Sequence, residues 1–137
     1  MKTRFVPSTC SYCGSGCGVL FQVANDRILS THPNPASPVS LGKLCIKGWN
    51  LHEHVHAPGR LTRPLMRRDP GADFSPASWE SALARLARGL KDTVAVHGPD
   101  SVAMLASARI SNEENYLAQK FMRVVIGTNN VDHCARL

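Results

Sequence analysis

Cys10, Cys13 and Cys17 fall within eight residues, in the stretch Thr9-Cys10-Ser11-Tyr12-Cys13-Gly14-Ser15-Gly16-Cys17-Gly18, and Cys45 follows after 27 more. Three thiolates so close in sequence can face one inorganic cubane only if the backbone wraps tightly around it. The interleaved glycines allow that wrapping, because glycine lacks the Cβ that forbids positive φ and blocks close approach of amides. Four thiolates are the usual ligand set of a 4Fe–4S cluster, with the fourth often remote. A structural zinc is the alternative, but zinc modules usually pair two short C-x2–4-C or H-x3–5-H units. Here the second half of the motif offers only Cys45, so the spacing favours iron–sulfur. Lys47 lies two residues beyond the last thiol. Most lysines are ordinary surface residues, but this position brings an ammonium within reach of an anionic cluster or a neighbouring cofactor.

Other chemical patterns are weaker. His52-Glu53-His54-Val55-His56 satisfies H-E-x-x-H, in which a helix places two histidines and a glutamate for zinc hydrolysis. Ala57-Pro58-Gly59 follows at once and leaves such a helix no room, so a short helix or loop with solvated histidines is expected. Gly14-x-Gly16-x-Gly18 lies between thiols rather than after a strand, and is not the dinucleotide fingerprint. Cys134 stands apart and reads as a buried, inert thiol. Arg60, Arg63, Arg67 and Arg68 account for part of the net charge of +6. No basic helix face interleaved with aromatics accompanies them, which argues against nucleic acid. A solvated or partner-facing loop, or attraction for a phosphate-bearing cofactor, accounts for them equally well.

Elements must hold the thiols in place. Val19–Val23 and Arg27–Thr31 flank Asn25-Asp26, a pair that tolerates the positive φ of a primed hairpin turn. Pro33, Pro35 and Pro38 mark an irregular excursion back to Cys45. Residues 1–57 therefore read as a small β-rich cluster-binding subdomain, and 58–77 as a connecting arm. The second half has a helical rhythm. Ser78 caps a helix with Leu83, Leu86, Leu90 and Val94 on one face, stopped by Gly98-Pro99. Ser101–Ala106 reads as a short buried parallel strand. Ser111-Asn112-Glu113-Glu114 is a capping box that opens a helix with Leu117, Phe121, Val124 and Val125 on one face, ended by Gly127. The expected class is α+β: the β-rich 4Fe–4S subdomain, then residues 78–137 as the beginning of an incomplete α/β sheet domain.

Composition fits this reading. The chain has 137 residues, 43% of them hydrophobic but only 6% aromatic, with nine prolines and ten glycines. So small and loop-rich a region often needs a metal to hold it together. Five cysteines, four of them at cluster spacing, do not suggest a secreted disulfide framework. Neither a signal-like apolar segment nor a run of 18 apolar residues is present, so a soluble, cytoplasmic protein without a membrane segment is expected.

With these residues in view, the sequence resembles the molybdopterin oxidoreductases. The first segment, Cys10-x2-Cys13-x3-Cys17…Cys45-x-Lys47-Gly48, is similar to the opening of that family. Ser107–Tyr116, Gln119-Lys120-Phe121 and Ile126–Leu137 resemble the catalytic subunit of formate dehydrogenases, whereas the related nitrate reductases share mainly Gly127-Thr128-Asn129-Asn130. The resemblance covers essentially the whole chain. It implies that Cys10, Cys13, Cys17 and Cys45 hold one 4Fe–4S cluster. It implies that Lys47 assists electron transfer between the cluster and a pterin, and that Ser107, Arg109 and Asn112 lie beside that pterin. It also implies molybdenum or tungsten held by two molybdopterin guanine dinucleotides, formate as substrate, and a redox partner subunit or carrier. The alternatives are a stand-alone 4Fe–4S electron-transfer module and the equivalent segment of a nitrate reductase. By the same resemblance the metal-ligating cysteine or selenocysteine would come directly after Leu137, followed by a histidine. The expectation is an in-frame UGA codon there, and a 137-residue piece that is inactive alone.

Overall fold

Asn25 and Asp26 adopt φ of 48° and 56°, so two adjacent non-glycine residues are left-handed, as a type I′ turn demands. The turn joins Gly18–Ala24 and Arg27–Pro33, the second and third strands of an antiparallel sheet in the computed structural model, which describes residues 2–134. Arg4–Thr9 (β1) pairs with Gly18–Ala24 (β2), and β2 pairs with Arg27–Pro33 (β3), giving the order β1-β2-β3. β1 was not expected, because Pro7 removes a ladder donor. It sits on an edge strand, where that loss is tolerated.

After the proline-rich excursion comes a single helical turn, Ile46–Trp49 (α1). The arm contains a two-residue ladder, Leu65–Met66 (β4) with Ser75–Pro76 (β5), that periodicity could not reveal. Trp79–His97 (α2) begins as expected, with Ser78 Oγ accepting from the Ser81 amide at 3.1 Å, and ends at Gly98, whose φ is +82°. The strand expected at 101–106 is shorter and later, Met104–Ser107 (β6), because Pro99–Ser101 forms a 3₁₀ turn first. It pairs with Val131–Cys134 (β7). It is not the buried strand foreseen: Leu105 is 86% exposed, with nothing among the described residues packed over that side.

The capping box forms in both directions. Ser111 N–H donates to Glu114 Oε2 at 2.7 Å, and Glu114 N–H donates to Ser111 Oγ at 3.2 Å. Asn112–Lys120 (α3) follows, but its last turns widen into a π-helix over Phe121–Ile126, closed by Gly127 at φ +90°. The wider turn breaks the 3.6-residue period. Met122 and Ile126 become the buried residues, while Leu117, Val124 and Val125 are exposed and Phe121 half-buried, correcting the face expected from spacing. On α2, too, Leu83 and Leu86 are exposed.

The chain forms two compact units. Among the described residues, one gathers those up to Arg60 with Leu105–Ala118 and Asp132–Cys134; the other holds Leu61–Met104 and Gln119–Val131. The first has its core at Cys10, Val19 and Leu51, with Tyr12, Cys17, Phe21 and Leu44 packed against it. In the second, buried Thr128 donates to Asp100 Oδ1 at 2.5 Å, and the Met104 amide donates to the Asn130 carbonyl at 2.9 Å. No helix among the described residues is long and apolar enough to cross a membrane.

Candidate metal centre

The three clustered cysteines are the connection between two paired strands. Register pairs Thr9 with Gly18, so residues 10–17 leave and re-enter the sheet at one point, and Cys10 N–H donates to the Cys17 carbonyl at 2.8 Å. Cys45 approaches from the other side, as the residue before α1. Two serines bring it there: Gly18 N–H is shared between Ser37 Oγ and Ser40 Oγ, each at 3.2 Å, and Ser37 is buried. Those bonds dock the proline-rich excursion on the start of β2. Asn34 shapes the excursion, its Oδ1 accepting from the Ala36 amide at 3.0 Å.

All four thiols are free and line one cavity of about 140 Å³, with Tyr12, Ser15, Gly16, Leu44, Lys47 and Gly48. Their surroundings differ. Burial pushes the Cys10 thiol above its ordinary value. Cys13 is held below it, first by the Ser15 hydroxyl, 3.4 Å from the sulfur, and then by the Ser15 amide. The amides of Gly48 and Lys47 lower Cys45. A lowered value favours the thiolate, the form that binds metal.

Among the described residues no three His, Cys, Asp or Glu side chains are gathered as a single ion requires. Tetrahedral zinc would draw all four sulfurs to about 2.3 Å from one centre. In a 4Fe–4S cluster the four thiolates are spread over the cluster. The donor set and the cavity fit the cluster better than zinc.

A second, larger pocket of about 600 Å³ abuts this cavity, lined by Ser11, Tyr12, Lys47, Asn50, Leu51, Glu53, His54, Ala57 and Arg109. Tyr12 and Lys47 line both spaces. Of the three residues expected beside a pterin, Arg109 lines this pocket. Asn112 instead donates from Nδ2 to the Gly14 carbonyl at 2.8 Å, bracing the cysteine loop. Its Oδ1 lies so close to Gly14 that a Cβ there would collide with it. Ser107 Oγ accepts from the Arg109 amide at 3.0 Å, and its carbonyl accepts from Asn115 Nδ2 at 3.2 Å, so Ser107 shapes the loop that carries Arg109.

The His-Glu-x-x-His segment forms successive turns and no helix. His54 and His56 are exposed, as expected, and His52 is half-buried; two of the histidines also bond β3, with His52 Nδ1 3.1 Å from Thr31 Oγ1 and His56 Nε2 accepting from the Ile28 amide at 3.0 Å. The side chain of Cys134, and the Ala135-Arg136-Leu137 segment, lie outside the described residues. Tyr12 is the residue that sequence reasoning passed over. An aromatic between two of the clustered cysteines was the available signal, but its partner Arg109 is 97 residues away.

Residues 3–57 match the family model described as the molybdopterin oxidoreductase Fe4S4 domain, and residues 60–137 match the model described as molybdopterin oxidoreductase. The whole chain is 42% identical to the F420-dependent formate dehydrogenase subunit alpha of Methanocaldococcus jannaschii. It is 44% identical to the F420-dependent formate dehydrogenase 1 subunit alpha of Methanococcus maripaludis. It spans 19% of the length of each. Among solved structures, acetylene hydratase from Pelobacter acetylenicus shares the fold over 93% of this chain and 18% of its own, with TM-score 0.69 and 24% identity.

Proposed function

Because the chain belongs to the molybdopterin oxidoreductase family, we propose that it forms the iron–sulfur portion, and one wall of the pterin site, of a formate dehydrogenase catalytic subunit. The observation that carries this reading is identity of 42–44% along the whole chain to formate dehydrogenase alpha subunits, with the four thiols around one cavity. When bound, the pterin-held molybdenum or tungsten would supply the two-electron oxidation of formate to carbon dioxide, and the cluster a one-electron relay.

In this reading Cys10, Cys13, Cys17 and Cys45 are the cluster ligands. Burial of Cys10 keeps water from one side, while the Ser15 hydroxyl and the Lys47 and Gly48 amides lower Cys13 and Cys45 and so favour their thiolate forms. Lys47 stands in the wall between the two spaces, where its ammonium offsets negative charge on either side. Arg109 offers the larger pocket a guanidinium suited to phosphate or a polar ring edge; Ser107 and Asn112 hold its loop and the cysteine loop in register. We assign residues 1–57 to the cluster subdomain, 58–77 to an arm, and 78–137 to the start of an α/β pterin-binding domain. Free thiols suit a reducing, cytoplasmic compartment. The electrons leave to a partner subunit or carrier.

The full-length protein, purified anaerobically, should contain about four iron and four labile sulfide per chain for this site, and should reduce a viologen dye on addition of formate. Stoichiometric zinc without labile sulfide would sink the cluster assignment; an intact cluster with no formate-dependent reduction would leave an electron-transfer module or a different oxidoreductase.

A further inference from the structure

The wall between the two spaces is built on one aromatic ring. Tyr12 lies half-buried between Cys10 and Cys13, packed against the core of its unit. Lys47 Nζ sits 5.0 Å from the ring centroid and Arg109 Cζ 5.8 Å from it, and Arg109 Nη1 donates to the Tyr12 hydroxyl at 2.8 Å. Two cations from segments about 60 residues apart thus share one ring. Cations are attracted to the negative face of an aromatic ring within about 6 Å. Without that attraction, two like charges so near each other would swing apart into water. Lys47 is exposed, and no salt bridge holds it among the described residues.

We propose that Tyr12 is a positioning residue: its ring, braced by Arg109, holds the Lys47 ammonium in the wall between the thiol cavity and the larger pocket. The proposal rests on the reading of Lys47 given above. Lys47 lines the same cavity as Cys13 and Cys45. A long, flexible side chain exerts a steady field only if it is kept in one place, and lysine loses substantial rotamer entropy when it is held. The ring supplies the restraint without adding a charge of its own. An acidic partner would restrain Lys47 equally well but would cancel its field at the cluster. The arrangement therefore raises the potential of whatever anionic centre the thiols hold.

The test uses the full-length protein with its cluster in place, and reads the cluster's midpoint potential by a redox titration followed by electron paramagnetic resonance. Lys47→Ala should lower the potential by about tenfold in the reduced-to-oxidised ratio, about 59 mV for one electron. Tyr12→Phe keeps the ring face. Replacing that phenylalanine by its pentafluoro form keeps the shape and removes the negative face. That change should lower the ratio by about two- to threefold at low salt, and should have no effect when Lys47→Ala is already present. Near-isosteric fluorination would leave a purely structural role untouched, so fold and iron content should not change. If fluorination leaves the potential at the Tyr12→Phe value while Lys47→Ala lowers it, the ring does not position the lysine and the clamp is overturned, with the role of Lys47 intact. If neither change moves the potential, the reading of Lys47 fails, and the clamp fails with it.

Discussion

Gly18→Ala is the sharpest test of how the fourth cysteine is delivered. Gly18 opens β2 directly after Cys17, and its amide is the hook on which Ser37 and Ser40 hang the excursion that ends at Cys45. A Cβ at this position would stand 2.5 Å from Ser37 Cβ and 2.7 Å from Ser37 Oγ. Gly18 is not at positive φ, so the penalty is steric and not conformational. Ser37 is 6% exposed and cannot retreat into solvent without moving the excursion. Overpacking a well-filled site costs about 1–3 kcal/mol, and losing a buried hydrogen bond about 1 kcal/mol. A loosening of about 3 kcal/mol in the contact between excursion and sheet follows. When a local opening governs access to the cluster, that is about a hundredfold faster iron release to a chelator under anaerobic conditions. Gly18→Ala/Ser37→Gly should recover at least half of that loss on a logarithmic scale, since it removes the colliding Cβ and leaves Ser40 as acceptor. Iron release within twofold of wild type in Gly18→Ala would show that the excursion does not depend on this contact.

Cys45→Ser should abolish or severely destabilise the cluster, because metal binding and folding are coupled in small sites; full iron content with unchanged visible absorption would mean another fourth ligand. Lys47→Ala in the full-length protein should slow formate-dependent dye reduction while iron and sulfide stay near wild type, and unchanged turnover would return Lys47 to the ordinary surface. Asn112→Ala removes the side-chain bond to the Gly14 carbonyl, worth about 1 kcal/mol, and should speed iron release about fivefold; if it changes nothing, the cysteine loop holds its shape without that brace.

Sequence reasoning read best where the determinants are local. Asn25-Asp26, the Ser78 cap and the Ser111–Glu114 box each specify their geometry within four residues, and each forms. The spacing of Cys10, Cys13, Cys17 and Cys45 grouped them in the sequence, the structure places them around one cavity, and the family matches carry the same cofactor. It read poorly where tertiary packing overrides pattern. The face of α3 was misjudged because a π-helix cannot be seen in a 3.6-residue period. β1 was hidden by Pro7, and β4 and β5 by their length of two residues. Leu105 and the apolar positions of α2 were expected to be covered because their pattern is that of a buried face. In the described residues Leu105, Leu83 and Leu86 are exposed, and Leu90 and Val94 are only half-buried. Pattern says which face is apolar, not what lies against it.

The cysteine loop is shaped by contacts that its own neighbourhood in sequence does not contain. Ser37 and Ser40 hold its exit, Arg109 reaches the Tyr12 hydroxyl, and Asn112 reaches the Gly14 carbonyl. The last two come from Leu105–Ala118, a stretch that falls in the same compact unit as the thiols despite lying in the second half of the chain. A self-contained electron carrier would fold its ligand loop from adjacent residues, since closing a long loop costs entropy before any contact repays it. Here the segment that braces the loop is also the one that presents Arg109 to the larger pocket. Any shift of Arg109 on engaging an anionic group would be felt at Tyr12, and through Tyr12 at Lys47 and the wall of the thiol cavity. That shared bracing favours a cluster built to communicate with a neighbouring cofactor over one that acts alone.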